Sequence, residues 1–150
     1  MSKKKEEEID YFEDYQLVAI VSHLKDYILC YNINLSLDFD LVKYDDLIVP
    51  SGSASESRFS WYYFKDEISR TVYYLIGNKC ENGNLLKSQK TVDYILIIKN
   101  PVSKDLLKPI SNSLRKIQNV NAVFELNMDE QKYMDTLLEI IELHELEVIT

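Results

Sequence analysis

Glycine and proline are scarce. Three of each in 150 residues leave few places for sharp turns and exclude collagen-like or low-complexity character. The two cysteines, Cys30 and Cys80, form no CxxC pair and no ligand cluster, so there is neither a disulfide framework nor a zinc signature. No apolar run reaches the length of a membrane span, and no apolar targeting core stands near the amino terminus. The chain reads as a reduced, cytoplasmic, soluble protein with no membrane partner. Catalytic signatures are missing too: no GxxxxGK[ST], GxGxxG, GxSxG or HExxH occurs. His23 and His144 stand alone in their local sequences. No metal, cofactor or catalytic residue is implied.

Positive charge is also in short supply. Seventeen Lys and Arg face 25 Asp and Glu, a net charge of −8, which opposes binding of nucleic acid or anionic membrane by the surface as a whole. The deficit is uneven. Residues 86–120 hold seven basic and two acidic side chains, whereas 129–150 hold seven acids and one lysine.

What the chain has in quantity is strand-forming residues, eleven tyrosines among its aromatics. Between Arg58 and Lys99 it runs RFSWYYF, turns through KDEIS, returns as RTVYYLI, passes GNKCENGN and continues as VDYILIIK. These are three strand signals bounded by turn residues, the first two spaced as an antiparallel hairpin. Strand alternation puts Phe59, Trp61 and Tyr63 on one face of the first strand and Val72, Tyr74 and Ile76 on one face of the second. Tyr62 and Phe64 fall on the other face of the first, Tyr73 and Leu75 on the other face of the second. A sheet with one wet face alternates apolar and polar; here both faces are apolar. Either helices cover both sides or one face meets a partner, with Trp61, Tyr63 and Tyr73 as candidate contacts. VDYILIIK suits a central strand buried on both sides.

Around this sheet the chain divides into a charged tail (1–10), an α+β domain (11–128) and an acidic amphipathic helix (129–150). YQLVAIV reads as a buried strand. Ser22 then offers an N-cap for a helix over 22–36, with Leu24, Tyr27, Ile28, Tyr31 and Leu35 as its buried stripe. Beside that stripe run His23, Tyr27, Cys30 and Asn34, either a polar site at the core's edge or the rim of a buried helix. Residues 40–49 read as a strand, and PSGSASES as an exposed flexible loop. A helix over 103–118, capped by Ser103, buries Leu106, Leu107, Ile110, Leu114 and Ile117. Pro109 predicts a kink or a helix in two pieces. Lys104, Lys108, Ser111 and Arg115 align opposite, either an anion-binding stripe or a solvated face. VNAVFEL is the next strand, so 93–126 is strand–helix–strand, like the second half of an ACT or ferredoxin-like unit. The acidic helix presents Met134, Leu137, Leu138 and Ile141 on one face and packs on the domain or a partner.

SHLKDYILCYNIN, YYLIGNK and TVDYILIIK together resemble the IPExxxVDY family across residues 15–126. Val92, Asp93 and Tyr94 match its VDY; Leu86, Lys87 and Ser88 occupy the IPE positions. The resemblance implies no catalytic residues.

The expected fold is a mostly antiparallel sheet of five or six strands with two helices on one face, ferredoxin-like or ACT-like, plus a C-terminal helix. The expected function is a non-enzymatic protein–protein interaction module or homodimer. A small-ligand-binding regulatory domain is the alternative, or RNA contact through Lys104, Lys108, Arg115 and the aromatic strands. An enzyme would have only His23, Asp26 and Cys30 to work with.

Overall fold

Side-chain alternation along the strands decides the architecture. The computed structural model describes residues 12–51 and 55–149; the expected charged tail lies outside them. Strands β1 (Tyr15–Ser22), β2 (Val42–Ser51), β3 (Ser55–Lys65), β4 (Val72–Gly77), β7 (Tyr94–Lys99) and β8 (Val120–Leu126) form one sheet in the order β2-β3-β4-β7-β1-β8. Every neighbouring pair is antiparallel. A small hairpin, β5 (Lys79–Cys80) with β6 (Gly83–Asn84), stands apart.

The aromatic segments form the expected antiparallel hairpin, and its register sets Trp61 opposite Ile76 and Tyr63 opposite Tyr74. Leu17, Phe59, Trp61, Tyr63, Tyr74, Ile76, Ile95 and Ile97 build one core, while Val18, Tyr62, Tyr73, Leu75, Leu96 and Ile98 build another on the opposite face. Helices α1 (Asp26–Leu37) and α2 (Leu107–Arg115) cover the second core through Leu29, Ile33, Ile110 and Leu114. Helix α3 (Met134–Ile149) covers the first through Met134, Leu137, Leu138 and Ile141. The chain's own helices therefore occupy both faces, in three layers.

The connections place the helices. β7, α2 and β8 form a split β–α–β unit with β1 inserted between the two parallel strands. From β1 the chain crosses over α1 to the far edge strand β2, then returns through β3 and β4 to β7. Without the β2–β3 hairpin the order is β8-β1-β7-β4, two interlocked split units.

Four local expectations need correction. Ser22 does not cap α1. It is the last residue of β1, its Oγ accepting from Leu24 N–H at 3.1 Å and donating to Asn119 C=O at 2.8 Å, so the helix starts at Asp26. The stripe on α1 is rotated: Leu29, Cys30 and Ile33 are buried, and Tyr27, Ile28, Tyr31 and Leu35 face outward. This helix is apolar nearly all round, so periodicity could not choose its inner face. The compact aliphatic chains fill the core and the tyrosines keep their hydroxyls in water. The two ends of PSGSASES are strand, since β2 runs through Pro50 to Ser51 and β3 begins at Ser55, while 52–54 lie outside the described residues. Proline is tolerated there because β2 is an edge strand. The segment at 103–118 is in two pieces, a 3₁₀ turn (Lys104–Leu106) and α2, but the break precedes Pro109. That proline sits in the first turn of α2, where its missing N–H costs no helical bond.

Polar contacts set the seat of α3. Tyr74 OH donates to Glu145 at 2.6 Å and Tyr63 OH to the same carboxylate at 3.2 Å. Glu142 pairs with Lys99 at 3.1 Å and accepts from Tyr15 OH. Burial would raise the pKa of Glu142, but these two donors outweigh it and hold the carboxyl below its ordinary value. The basic residues of α2 lie across the sheet and play no part.

Leu138 is the sharper probe of this seat. Leu138→Ala should cost about 3 kcal/mol, and Leu138→Asp should release α3, seen as fast amide exchange across 134–149. Charge reversal at Lys104 and Lys108 should leave that exchange unchanged; the opposite pattern would mean that charge holds the helix.

Candidate functional site

At the end of the sheet where β1 and β4 finish and β7 begins, the backbone opens a cleft of about 520 Å³. It is lined by the β1–α1 turn (Ser22 to Asp26), Ser60 of β3, Gly77 of β4, Lys79 of β5, and Asp93 and Tyr94. The Val92–Asp93–Tyr94 run thus reaches it directly. Val92 is buried in the core shared with α3. The Asp93 carboxylate accepts from Ser22 N–H at 2.8 Å and pairs with Lys79 at 3.0 Å. Tyr94 OH donates to Leu24 C=O at 2.6 Å. Burial, together with the negative charges of Asp26 and Asp93, pushes that phenol up to about 12, so it remains a neutral donor at physiological pH. These residues tie the end of β1 and the start of α1 to the central strand.

A buried asparagine shapes the rest. Asn78 follows β4 with no solvent exposure. Its Nδ2 donates to Gln89 C=O at 2.9 Å and Val92 C=O at 2.8 Å, and its Oδ1 accepts from Leu86 N–H at 2.8 Å. Its backbone N–H donates to Asp93 C=O at 2.9 Å, and its C=O accepts from Leu85 N–H at 2.8 Å. One side chain and its own peptide groups thereby fold the whole 85–93 segment, including Leu86, which is buried, and Lys87 and Ser88, which are exposed. Gly77, just before it, closely faces β3: a Cβ there would lie 2.7 Å from Ser60 Oγ, so a larger residue requires that hydroxyl to turn aside.

The acids of the cleft are engaged. Asp26 accepts from Tyr62 OH at 2.9 Å and from Lys43 Nζ at 3.1 Å. Burial alone would raise its pKa, but these bonds outweigh it and hold the carboxyl below its usual value. The cleft is therefore a polar surface whose carboxylates already have partners, and whose remaining reach comes from Lys25, His23 and Ser60.

The expected site residues scatter. Of the column His23, Tyr27, Cys30 and Asn34, only His23 lines the cleft. Tyr27 faces outward. Asn34 clamps the chain after α1, accepting from Leu41 N–H at 2.9 Å and donating to Leu41 C=O at 3.2 Å. Cys30 is buried beneath the helix, its thiol donating to Leu41 C=O at 3.6 Å. Burial, then the charges of Asp26 and Asp40, pushes that thiol up to about 11, so it stays protonated at neutral pH. His23 and Asp26 both line the cleft, whereas Cys30 is buried and does not.

Trp61, Tyr63 and Tyr73, expected as contacts, are buried under the helices and offer no face for base stacking. The reason is that the sheet meets its own helices rather than a partner. The basic stripe is also reduced. Ser111 is fully buried, and Arg115 spends its Nε and Nη2 on Val123 C=O at 3.1 and 2.9 Å. Lys104 and Lys108 remain exposed. Among the described residues no group of three or more His, Cys, Asp or Glu is placed to hold a metal ion, and no helix is long and apolar enough to cross a membrane. Sequence reading missed Asn78, Gly77, Ser60 and Lys79. The one available signal was a glycine and asparagine at the exact end of a strand.

No family model matches the chain, and no curated protein or solved structure matches it.

Removing the Asn78 amide would strand Leu86 N–H and Val92 C=O, and leave Gln89 C=O only the 3.4 Å bond from Val92 N–H. Each orphaned buried group costs about 1–3 kcal/mol, so Asn78→Ala should destabilise the fold by about 3 kcal/mol in chemical denaturation. Lys87→Ala, on the exposed part of the same loop, should change it by less than about 0.5 kcal/mol. Equal effects would remove the organising role of Asn78.

Proposed function

We propose that the chain is a non-catalytic interaction module that associates with further copies of itself through the outer face of α1. The observation that carries this reading is a line of exposed residues on that helix: Tyr27 at 60%, Tyr31 at 63% and Leu35 at 66%. They recur every four residues and so form one ridge. Ile28 adds a further partly exposed apolar side chain beside them. Tyrosine is enriched where protein surfaces meet, because it gives a rigid apolar body and a hydroxyl that tolerates water. The layer also carries the exposed cations Lys104, Lys108 and Lys116, which suit an acidic counterpart, and this chain with its net charge of −8 supplies one. The ferredoxin-like reading of the two split units fits such a role, since it places both of these helices side by side on one face of the sheet.

Light scattering across a concentration series tests the proposal. The wild-type mass should rise above the 17.6 kDa of one chain, and Tyr27→Glu with Tyr31→Glu should return it to that value with an unchanged far-ultraviolet spectrum. A wild-type chain that stays monomeric at high micromolar concentration overturns the reading.

A second reading rests on the cleft. Its volume of about 520 Å³ falls within the usual range for small-molecule sites, and because Lys79 is already paired with Asp93, Lys25 is the lining cation that favours a small anion. Titrating inorganic phosphate and a short dicarboxylate against the amide resonances of residues 22–26, 79 and 93 should give saturable shifts that Lys25→Gln weakens severalfold. A flat titration disposes of it.

A further inference from the structure

α1 and α2 lie on one face of the sheet and α3 on the other, so the outer surfaces of the two helical layers point in opposite directions. The α1–α2 layer shows the tyrosine ridge and the exposed Lys108 of α2, with Lys104 and Lys116 flanking that helix. The α3 layer is its counterpart in charge. Asp135, Glu139 and Glu147 are exposed there, and between them two leucines stand out, Leu143 at 62% and Leu146 at 65% exposure. Those leucines are left over by the stripe that seats α3: Leu137, Leu138 and Ile141 turn inward, and positions 143 and 146 fall on the far side of the helix.

We infer that the self-association is head-to-tail: the α1–α2 layer of one copy receives the α3 layer of the next. This rests on the self-association reading and adds the surface that completes it. The α1–α2 layer keeps an excess of exposed cations, Lys104, Lys108 and Lys116 against Asp38 and Asp105, so pairing two such layers opposes like net charge, as does pairing two α3 layers with their exposed carboxylates. Only the unlike pairing sets opposite charges together around an apolar centre, Tyr27, Tyr31 and Leu35 against Leu143 and Leu146. Charge of this kind acts on choice of partner and on encounter rate, and is screened by salt. The two surfaces differ and face opposite ways, so the contact is heterologous, and copies add in sequence instead of stopping at a two-fold dimer.

Mixing two variants tests it. The first, Tyr27→Glu with Tyr31→Glu, spoils the α1 face; the second, Leu143→Glu with Leu146→Glu, spoils the α3 face. All four positions are exposed, and matching far-ultraviolet spectra confirm that both variants fold. Head-to-tail contact requires each variant alone to run at 17.6 kDa. The mixture should then form a one-to-one complex of twice that mass and grow no further, while the wild type grows beyond it and loses mass as salt is raised. If the second variant assembles like the wild type, the contact is α1 face to α1 face: this inference falls and the self-association reading stands. If the first variant assembles and the second does not, α3 pairs with itself, and both the inference and the α1 reading fall. If the variants stay monomeric when mixed while the wild type assembles, complementarity is lost and the inference falls. A monomeric wild type removes both.

Discussion

A sheet that is apolar on both faces has no side to give to water. That constraint governs the rest of this structure. β4 and β7 supply no polar row at all: Tyr74, Ile76, Ile95 and Ile97 go one way, and Tyr73, Leu75, Leu96 and Ile98 the other. Burying only one side would leave a second apolar surface far larger than a soluble monomer tolerates. Two helices therefore close one face and the C-terminal helix closes the other. The aromatic rings interlock with them, as where the His144 ring sits edge-on to Trp61 at 4.7 Å and its Nε2–H donates to Asp45 C=O at 2.8 Å.

Covering both faces moves every opportunity for recognition to the outer surfaces of helices and to the ends of the sheet. At the end near Gly77 the polar groups are organised by burial as much as by charge. Asn78 satisfies its entire donor and acceptor set within one loop, and so can be buried at little net cost. Asp93 and Tyr94 then fix the β1–α1 turn. The motif-like run Val92–Asp93–Tyr94 thus divides its work: one residue in the core, one carboxylate on a strand end, one hydroxyl on a helix entry. On the outer layers the apolar remainder of α1 and α3 is what the cores did not use.

The legible parts were those with a period of two. Strand faces at Phe59–Trp61–Tyr63 and Val72–Tyr74–Ile76 follow from alternation alone, as does the central position of the strand after Asp93. The seat of α3 was legible as well, because Met134, Leu137, Leu138 and Ile141 are set among charged residues and leave one stripe to bury. α1 was not legible. Tyr27, Tyr31 and Leu35 have the same helical spacing as Leu29 and Ile33 with Cys30, and nothing in the sequence marks which set turns inward. The cleft was hidden for another reason. Ser60, Gly77, Lys79 and Asp93 are far apart in sequence, and only the pairing of β3, β4 and β7 brings them together.

The sequence by itself determined the class of structure and the apolar character of both sheet faces, because alternation and turn residues act locally and each strand carries its own record of them. Tertiary structure alone decided which side of α1 faces solvent, that Trp61, Tyr63 and Tyr73 are core and not contact surface, and that a buried asparagine gathers the loop beside the cleft. Those outcomes depend on the volumes and hydrogen-bonding groups that meet across the layers. Such complementarity belongs to pairs of distant segments, and neither member of a pair carries it alone.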